Sequence, residues 1–313
     1  MGKIEELMYH RIHKASIVLV SYIPDKQVLV TVDKDGNVIK WSVPEYSIID
    51  SFQLNKAVDV CMISNNHSKI VFSIRFDHEI WIYDLNSQKI LKSMPFNGDN
   101  IRKLDYCSYC NLVAIQTDTY NVKVWKVNDN TLWEPLYKKE RLHDIKLGKN
   151  NFMMYLATKK GSIYLFKLFY RRIYKIIDIP ILCITHLKIC EDRKYLVACN
   201  NKKLYILNIA TGKKRSIHNC DMMYNHIMQI SRDKSTILTL ETENLLGYSK
   251  DTVFNIATED KNTGSITSLD IDEFCKKLAI GYSSGLIRVL NIKNITDFCY
   301  EKEELSANEV IFT

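Results

Sequence analysis

Several short stretches of this sequence carry residue types that can do chemistry. Gly281-Tyr282-Ser283-Ser284-Gly285 has the Gly-x-Ser-x-Gly spacing of a serine nucleophile held on a sharp strand-to-helix turn. Cys107-Ser108-Tyr109-Cys110 has the two-residue spacing of half a zinc site or of a redox dithiol. His10 and His13 could offer two imidazoles, and Glu303-Glu304 pairs two carboxylates. Each chemistry needs a setting. A nucleophile elbow needs a helix behind the serine to face the oxyanion. A structural zinc needs a second ligand pair at suitable spacing, and none follows the cysteines. The histidines form an isolated pair expected at the surface, and the two glutamates stand in a charged tail expected to be solvated. No glycine-rich loop opens a helix, so a nucleotide phosphate has no cradle.

The elements that would have to position these residues are short and regular. Seven apolar segments recur along the 313 residues: VIKWSV, IWIYDL, VKVWKV, IYLFKL, LYILNI, LLGYSK and IRVLNI. Aligned on Trp41, Tyr83, Trp125, Phe166, Leu207, Tyr248 and Leu290, they are spaced 42, 42, 41, 41, 41 and 42 residues apart. Upstream of each lies a second β-rich run: QVLVTV, KIVFSI, LVAIQT, FMMYLA, YLVACN, TILTLE and KLAIGY. β-Branched and aromatic side chains dominate both runs, which predicts strands. Turn formers such as Asp35-Gly36-Asn37, Lys160-Gly161-Ser162 and Ser284-Gly285 separate them. A third short strand precedes each pair, as in VDVCMI, ITHLKI and ITSLDI. Ser283 therefore falls in a hairpin turn between two strands, and the cysteine pair falls in another. Neither has the helix its chemistry requires.

Three strands and a more variable fourth, repeated every 41 or 42 residues, resemble the WD40-repeat β-propeller family over nearly the whole chain. The resemblance implies an all-β fold: a single seven-bladed propeller of four-stranded antiparallel blades over residues 1–313. The signature dipeptides are eroded. The Trp-Asp pair survives as Tyr83-Asp84, no Gly-His pair precedes a blade, and the sixth copy places Gly247 and Lys250 where apolar residues are expected. Closing such a fold needs a strand from one chain end, and residues 4–12 and 307–313 are both suited to it. Tyr170-Arg171-Arg172-Ile173 shares two arginines with the Phe-Arg-Arg-Gly motif of phosphoinositide-binding propellers but lacks its glycine. The Trp-Asp-x-Arg segment of ubiquitin-ligase receptors has no counterpart, since no Arg follows Trp41, Tyr83 or Trp125 at that spacing.

Charge gives the clearest pointer to a partner. Residues 138–215 hold 19 Lys and Arg against 5 Asp and Glu, a net +14, so the remainder of the chain carries −7 of the +7 total. A concentrated basic sector steers acidic partners more effectively than net charge alone. Lys159, Lys160, Lys202 and Lys203 fall in second-to-third strand turns of the fourth and fifth repeats, and Arg75, Tyr120 and Tyr282 come from the corresponding turns elsewhere. By resemblance to the family, that turn edge is the partner-binding face. The expected function is a non-catalytic, protein-interacting scaffold subunit whose partners present an acidic surface. The alternative is an accessory subunit of an RNA-binding or RNA-processing complex. No enzyme activity, cofactor, metal or small-molecule substrate is expected. No apolar run reaches the ~18 residues of a membrane helix. Nine cysteines without regular spacing or an export signal fit reduced thiols in the cytoplasm or nucleus.

Overall fold

A computed structural model describes residues 4–292 apart from 65, 75–76, 97–99, 135–140, 149–151, 171, 180–183, 190–194, 201–202, 210, 220–227, 231–236, 242–243, 249–252, 259–261 and 273–275. Among the described residues there are seven four-stranded antiparallel sheets. In chain order the strands are β1 (Glu5–Arg11), then β2 to β5 (Ile17–Ile23, Val28–Asp33, Asn37–Ser42, Ile48–Gln53) and β6 to β9 (Val58–Ile63, Lys69–Ile74, Glu79–Asp84, Lys89–Pro95). Next come β10 to β13 (Ile101–Cys107, Leu112–Thr117, Val122–Lys126, Thr131–Trp133) and β14 to β17 (Leu142–Leu147, Met153–Thr158, Ser162–Lys167, Arg172–Asp178). They are followed by β18 to β21 (His186–Ile189, Tyr195–Cys199, Lys203–Asn208, Lys214–Asn219) and β22 to β25 (Met228–Ile230, Ile237–Glu241, Asn244–Tyr248, Val253–Thr258). The last are β26 to β28 (Ile266–Ile271, Lys277–Tyr282, Leu286–Asn291).

The repeat anchors occupy one register. Trp41 pairs with Leu29, Tyr83 with Ile70, Trp125 with Val113, Phe166 with Met154, Leu207 with Leu196 and Leu290 with Leu278. Gly247 takes its place in β24 opposite Leu238, so the irregular sixth copy still forms a sheet.

The chain divides into two compact units. One comprises residues 1–33, 37–52 and 227–313, the other 34–36 and 53–226. Within each, the apolar cores lie between consecutive sheets. In the larger unit Val113, Ile115 and Trp125 pack towards Val71, Ile80 and Ile82 of the preceding sheet. The alternating residues Leu112, Ala114 and Val124 pack towards Met154, Leu156 and Phe166 of the following sheet. Strand residues one apart face opposite sides, so a sheet covered on both faces needs near-continuous apolar runs. LVAIQT and FMMYLA are such runs. In the smaller unit, Met8, Ile287 and Val289 share a core with Ile17, Leu29 and Trp41.

The smaller unit also shows which chain end completes the last sheet. β1 pairs with β28, and the order is β1-β28-β27-β26. Arg288 Nε donates to Glu6 Oε1 at 2.6 Å and Asn291 Nδ2 to Glu5 Oε2 at 3.0 Å, tying positions more than 280 residues apart. Residues 307–313 lie outside the described residues.

The first strand of each sheet lies at its edge, and the backbone N–H groups on its open side need acceptors. At β2, β14 and β18 side chains of the neighbouring sheet provide them. Ser268 Oγ and Asp270 Oδ2 in β26 accept from the N–H groups of Val20 and Tyr22 in β2, both at 2.9 Å. Asp105 in β10 accepts from Leu147 N in β14 at 2.6 Å, and Asp144 in β14 accepts from Leu187 N in β18 at 2.6 Å. These carboxylates are buried and carry counter-charges. Lys146 Nζ lies 3.3 Å from Asp105, and Lys103 Nζ contacts Asp144. Burial holds Lys103 below the ordinary ammonium range despite the attraction of Asp144. At Lys146 burial acts in the same direction but is outweighed by Asp105 and Asp144, which hold the ammonium above that range.

His13, expected at the surface, is 3% exposed. Its Nδ1 lies 2.8 Å from Asp33 Oδ2 and its Nε2 2.8 Å from Thr31 Oγ1, while Trp41 Nε1 donates to Thr31 Oγ1 at 3.0 Å. The arrangement satisfies every group if Trp41 donates to Thr31, Thr31 to His13 and His13 to Asp33. Asn37 adds its backbone N–H and its side-chain amide to the Asp33 carboxylate. His10 alone remains exposed, with its ring stacked 5.9 Å from that of Trp41. Burial raises the Asp33 carboxyl, but the hydrogen bonds from His13 and Asn37 outweigh it and hold the group below its usual value. The resulting stability is fully present above the unfolded carboxyl value of about 4 and is lost as pH falls through the lower folded value. Asp33→Ala is expected to cost about 3 kcal/mol by leaving buried donors unmet. Denaturant unfolding from pH 7 to pH 2 would check this: the wild-type loss of stability below pH 4 should be shallower in the variant.

Candidate functional site

The site begins with a bulge repeated at the start of the first strands. Register shifts fall between Ile17 and Leu19, Ile101 and Lys103, Leu142 and Asp144, and Ile266 and Ser268. Each leaves one residue without a pairing partner: Val18, Arg102, His143 and Thr267. A bulge bends its strand and re-aims the extra side chain. In two consecutive sheets of the larger unit, the re-aimed residues are Arg102 and His143, at equivalent positions of β10 and β14.

They meet the turn between β11 and β12. Tyr120 stands just past the end of β11 with φ +66°, a left-handed conformation that turns its side chain out of the ladder. Its ring stacks on His143 with centroids 4.7 Å apart and planes 15° from parallel. The Arg102 guanidinium carbon is 5.4 Å from the Tyr120 centroid and that of Arg141 is 5.8 Å. Both are within cation–π range. Lys159, in the turn between β15 and β16, acts on the same imidazole. Burial, then the positive charges of Arg102, Lys159 and Arg141, hold His143 below its usual value, with Asp144 opposing them. These effects favour the neutral imidazole. Arg102, Arg141 and Lys159 are exposed, and among the described residues none of them forms an ion pair.

Of the residues expected at a partner face, Tyr120, Lys159, Lys160 and Lys203 are described and lie in the larger unit. Tyr120 and Lys159 belong to the cluster, Lys160 is exposed beside Lys159, and Lys203 is exposed at the start of β20. Arg75 and Lys202 lie outside the described residues. Tyr282 belongs to the smaller unit and is 0% exposed. It is the last residue of β27, paired with Ile266, so its ring faces the core, whereas Tyr120 stands three residues beyond the corresponding pair Thr117–Ile101. Tyr282 therefore offers no side chain to a partner. Arg102 and His143 were not anticipated. The signal that could have exposed them is a charged or polar residue second in a first strand, where the bulge recurs.

No protein-family model matches the sequence, and no curated protein matches it either. Among solved structures the chain is similar to the β-propeller domain of Cps50 (Swd1) from Myceliophteria thermophila. The TM-score is 0.75 with 12% sequence identity, over 92% of this chain and 99% of that one. The fold is that of a β-propeller. In this propeller the first-strand edges and the turns beside them carry the basic cluster.

The propeller fold also accounts for the Gly-x-Ser-x-Gly segment. At Gly281 an added Cβ would fall 2.5 Å from Ile17 Cγ2 and 2.8 Å from Val20 Cγ2 in β2. At Gly285 (φ +78°) it would fall 2.1 Å from the His13 carbonyl oxygen. Packing of neighbouring sheets requires both glycines. Ser283 Oγ accepts the Ser265 N–H at 2.9 Å across the adjoining loop. Cys107 and Cys110 are buried free thiols, and burial, then Cys107, pushes the Cys110 thiol up to about 12. A thiol so raised is a poor nucleophile or metal ligand at neutral pH. Among the described residues no group of three or more His, Cys, Asp or Glu could hold a metal, and no helix is long and apolar enough to cross a membrane. Thermal unfolding should separate packing from chemistry in the segment. Gly285→Ala is expected to destabilise by about 2 kcal/mol or more through the left-handed φ and the blocked carbonyl. Ser283→Ala should cost about 1 kcal/mol, the worth of one exposed hydrogen bond.

Proposed function

We propose that the seven sheets are seven blades of one propeller spanning residues 1–313, and that the protein is a non-catalytic scaffold of a cytoplasmic or nuclear complex. Its docking edge is the turn edge that carries Arg102, Tyr120, Arg141, His143, Lys159 and Lys160, and its partner is a protein with an acidic surface. The supporting observation is the placement of Arg102 and Arg141 over one Tyr–His ring stack, with Lys159 exposed in the next turn and no ion pair among the described residues to neutralise them. Exposed cations of one sign raise the encounter rate with an acidic surface and fix its orientation. The similarity to a β-propeller domain supports a scaffold in the general sense that such folds present loops on a rigid frame.

Charge reversal tests the reading. A Lys159→Glu, Lys160→Glu, Lys202→Glu, Lys203→Glu variant is expected to keep the circular dichroism and melting temperature of the wild type, because Lys159, Lys160 and Lys203 are exposed. In pull-downs from native extract analysed by mass spectrometry it should lose at least one protein partner. An unchanged partner set would overturn the proposal. Loss of RNA instead, with binding that falls steeply with salt, would assign the edge to nucleic acid.

A further inference from the structure

The basic cluster is more specific than docking of an acidic surface requires. A general electrostatic patch spreads its charges, whereas here Arg102 and Arg141 stand 5.4 and 5.8 Å from one ring centroid. Lys159 acts on the imidazole stacked against that ring. Among the described residues, the acidic side chains of the same segments have other partners. Asp144 accepts from Lys103 and from the N–H groups of Ile145 and Leu187, and Asp118 accepts from the Asn100 amide at 3.1 Å. Arg102 and Arg141 thus share one ring, and Lys159 bears on the imidazole stacked against it; they come from two consecutive sheets: Arg102 from β10, Arg141 and Lys159 from the ends of β14 and β15.

We propose that Arg102, Arg141 and Lys159, grouped around the Tyr120–His143 stack, form a binding site for a phosphomonoester dianion, supplied by a phosphorylated side chain of the partner protein. The proposal rests on the docking edge described above and names the chemistry it recognises. A phosphomonoester carries a charge of about −1.5 to −2 and three acceptor oxygens at pH 7, which suits two planar guanidinium forks and one ammonium. A carboxylate would leave most of that positive charge unmatched. A phosphodiester backbone carries one charge per link and distributes it along a groove. The Tyr120 ring already has His143 at 4.7 Å and two guanidinium neighbours, so it is not an open platform for stacking a base. His143 completes the site as a neutral imidazole able to donate one N–H without adding a fourth charge.

The imidazole is also the reporter. A dianion bound among the cations would offset the repulsion that, after burial, holds His143 low, so its pKa should rise on binding. The groups acting on it are Arg102 from β10, Lys159 from the β15–β16 turn, and Arg141 and Asp144 from its own strand. The test follows the His143 imidazole by NMR, with its signal assigned by its loss in His143→Asn, while N-acetylphosphoserine methylamide is added to the intact chain. A saturable shift and a raised His143 pKa are expected. Both should disappear in Arg102→Gln/Arg141→Gln, and saturation should weaken at least tenfold in Lys159→Gln should the double variant fail to fold. Dimethyl phosphate and acetate at equal concentration should leave the signal unmoved, and vesicles containing phosphatidylinositol 4-phosphate should not sediment the protein. No saturable shift, an equal response to the diester or acetate, or sedimentation with the vesicles in place of a phosphoserine response would each overturn the proposal. Those results would leave the docking edge standing if charge reversal still removes a protein partner. An unchanged partner set together with a phosphoserine response would overturn the docking edge and retain the anion site.

Discussion

Every sheet in this protein has a first strand with one side of its backbone unpaired, and the structure depends on how those N–H groups are satisfied. Water cannot serve all of them, because apolar cores lie against the same strands. At three of the first strands the acceptors come from the adjacent sheet: Ser268 and Asp270 for β2, Asp105 for β14, Asp144 for β18; in β6, Val60 N donates to Ser73 of its own sheet. Such bonds fix the height of one sheet against the next, which hydrophobic contact alone leaves free to slide. They also bring carboxylates into a buried setting, and a buried carboxylate requires charge partners. Lys103 and Lys146 meet that requirement.

This sheet-to-sheet register sets the geometry of the basic cluster. Asp144 and His143 are neighbours in β14, so the residue that locks β14 to β18 also fixes where the imidazole emerges. Lys103 and Arg102 are neighbours in β10 in the same way, with Lys103 drawn inward to Asp144 and Arg102 left exposed by the bulge. Residues that lock the sheets together and residues of the basic cluster thus alternate along one strand, and the bulge is what separates them.

The strands were legible in the sequence because their cause is local. Two-sided burial demands apolar runs, turns demand Gly, Asn and Asp, and both recur every 41 or 42 residues. The anchors Trp41 to Leu290 accordingly share one pairing position. What escaped is what depends on distance along the chain. His13 precedes the first repeat and looks like an isolated histidine, yet it bridges Asp33 and Thr31, 20 and 18 residues away. Tyr282 ends its second strand and Tyr120 stands three residues past the end of its own, and that difference places one in the core and the other in the cluster. Arg102 and His143 leave only a faint trace in the sequence, a polar or charged residue second in a first strand, which holds at Thr267 as well but fails at the bulged Val18. The contribution of β1 to the final sheet was one of two open choices, since apolar alternation at either chain end would serve.

That final sheet ties assembly to the direction of synthesis. β1 is synthesised before its partner β28, so the strand waits while β2 to β27 are made, with Met8 and its open backbone edge uncovered. Pairings this remote in sequence form slowly, and an unmatched strand is a template for wrong partners in the meantime. The charged flank Glu5, Glu6 and Arg11 surrounds the apolar stretch of β1 during that interval and discourages adventitious pairing before Arg288 arrives to claim Glu6.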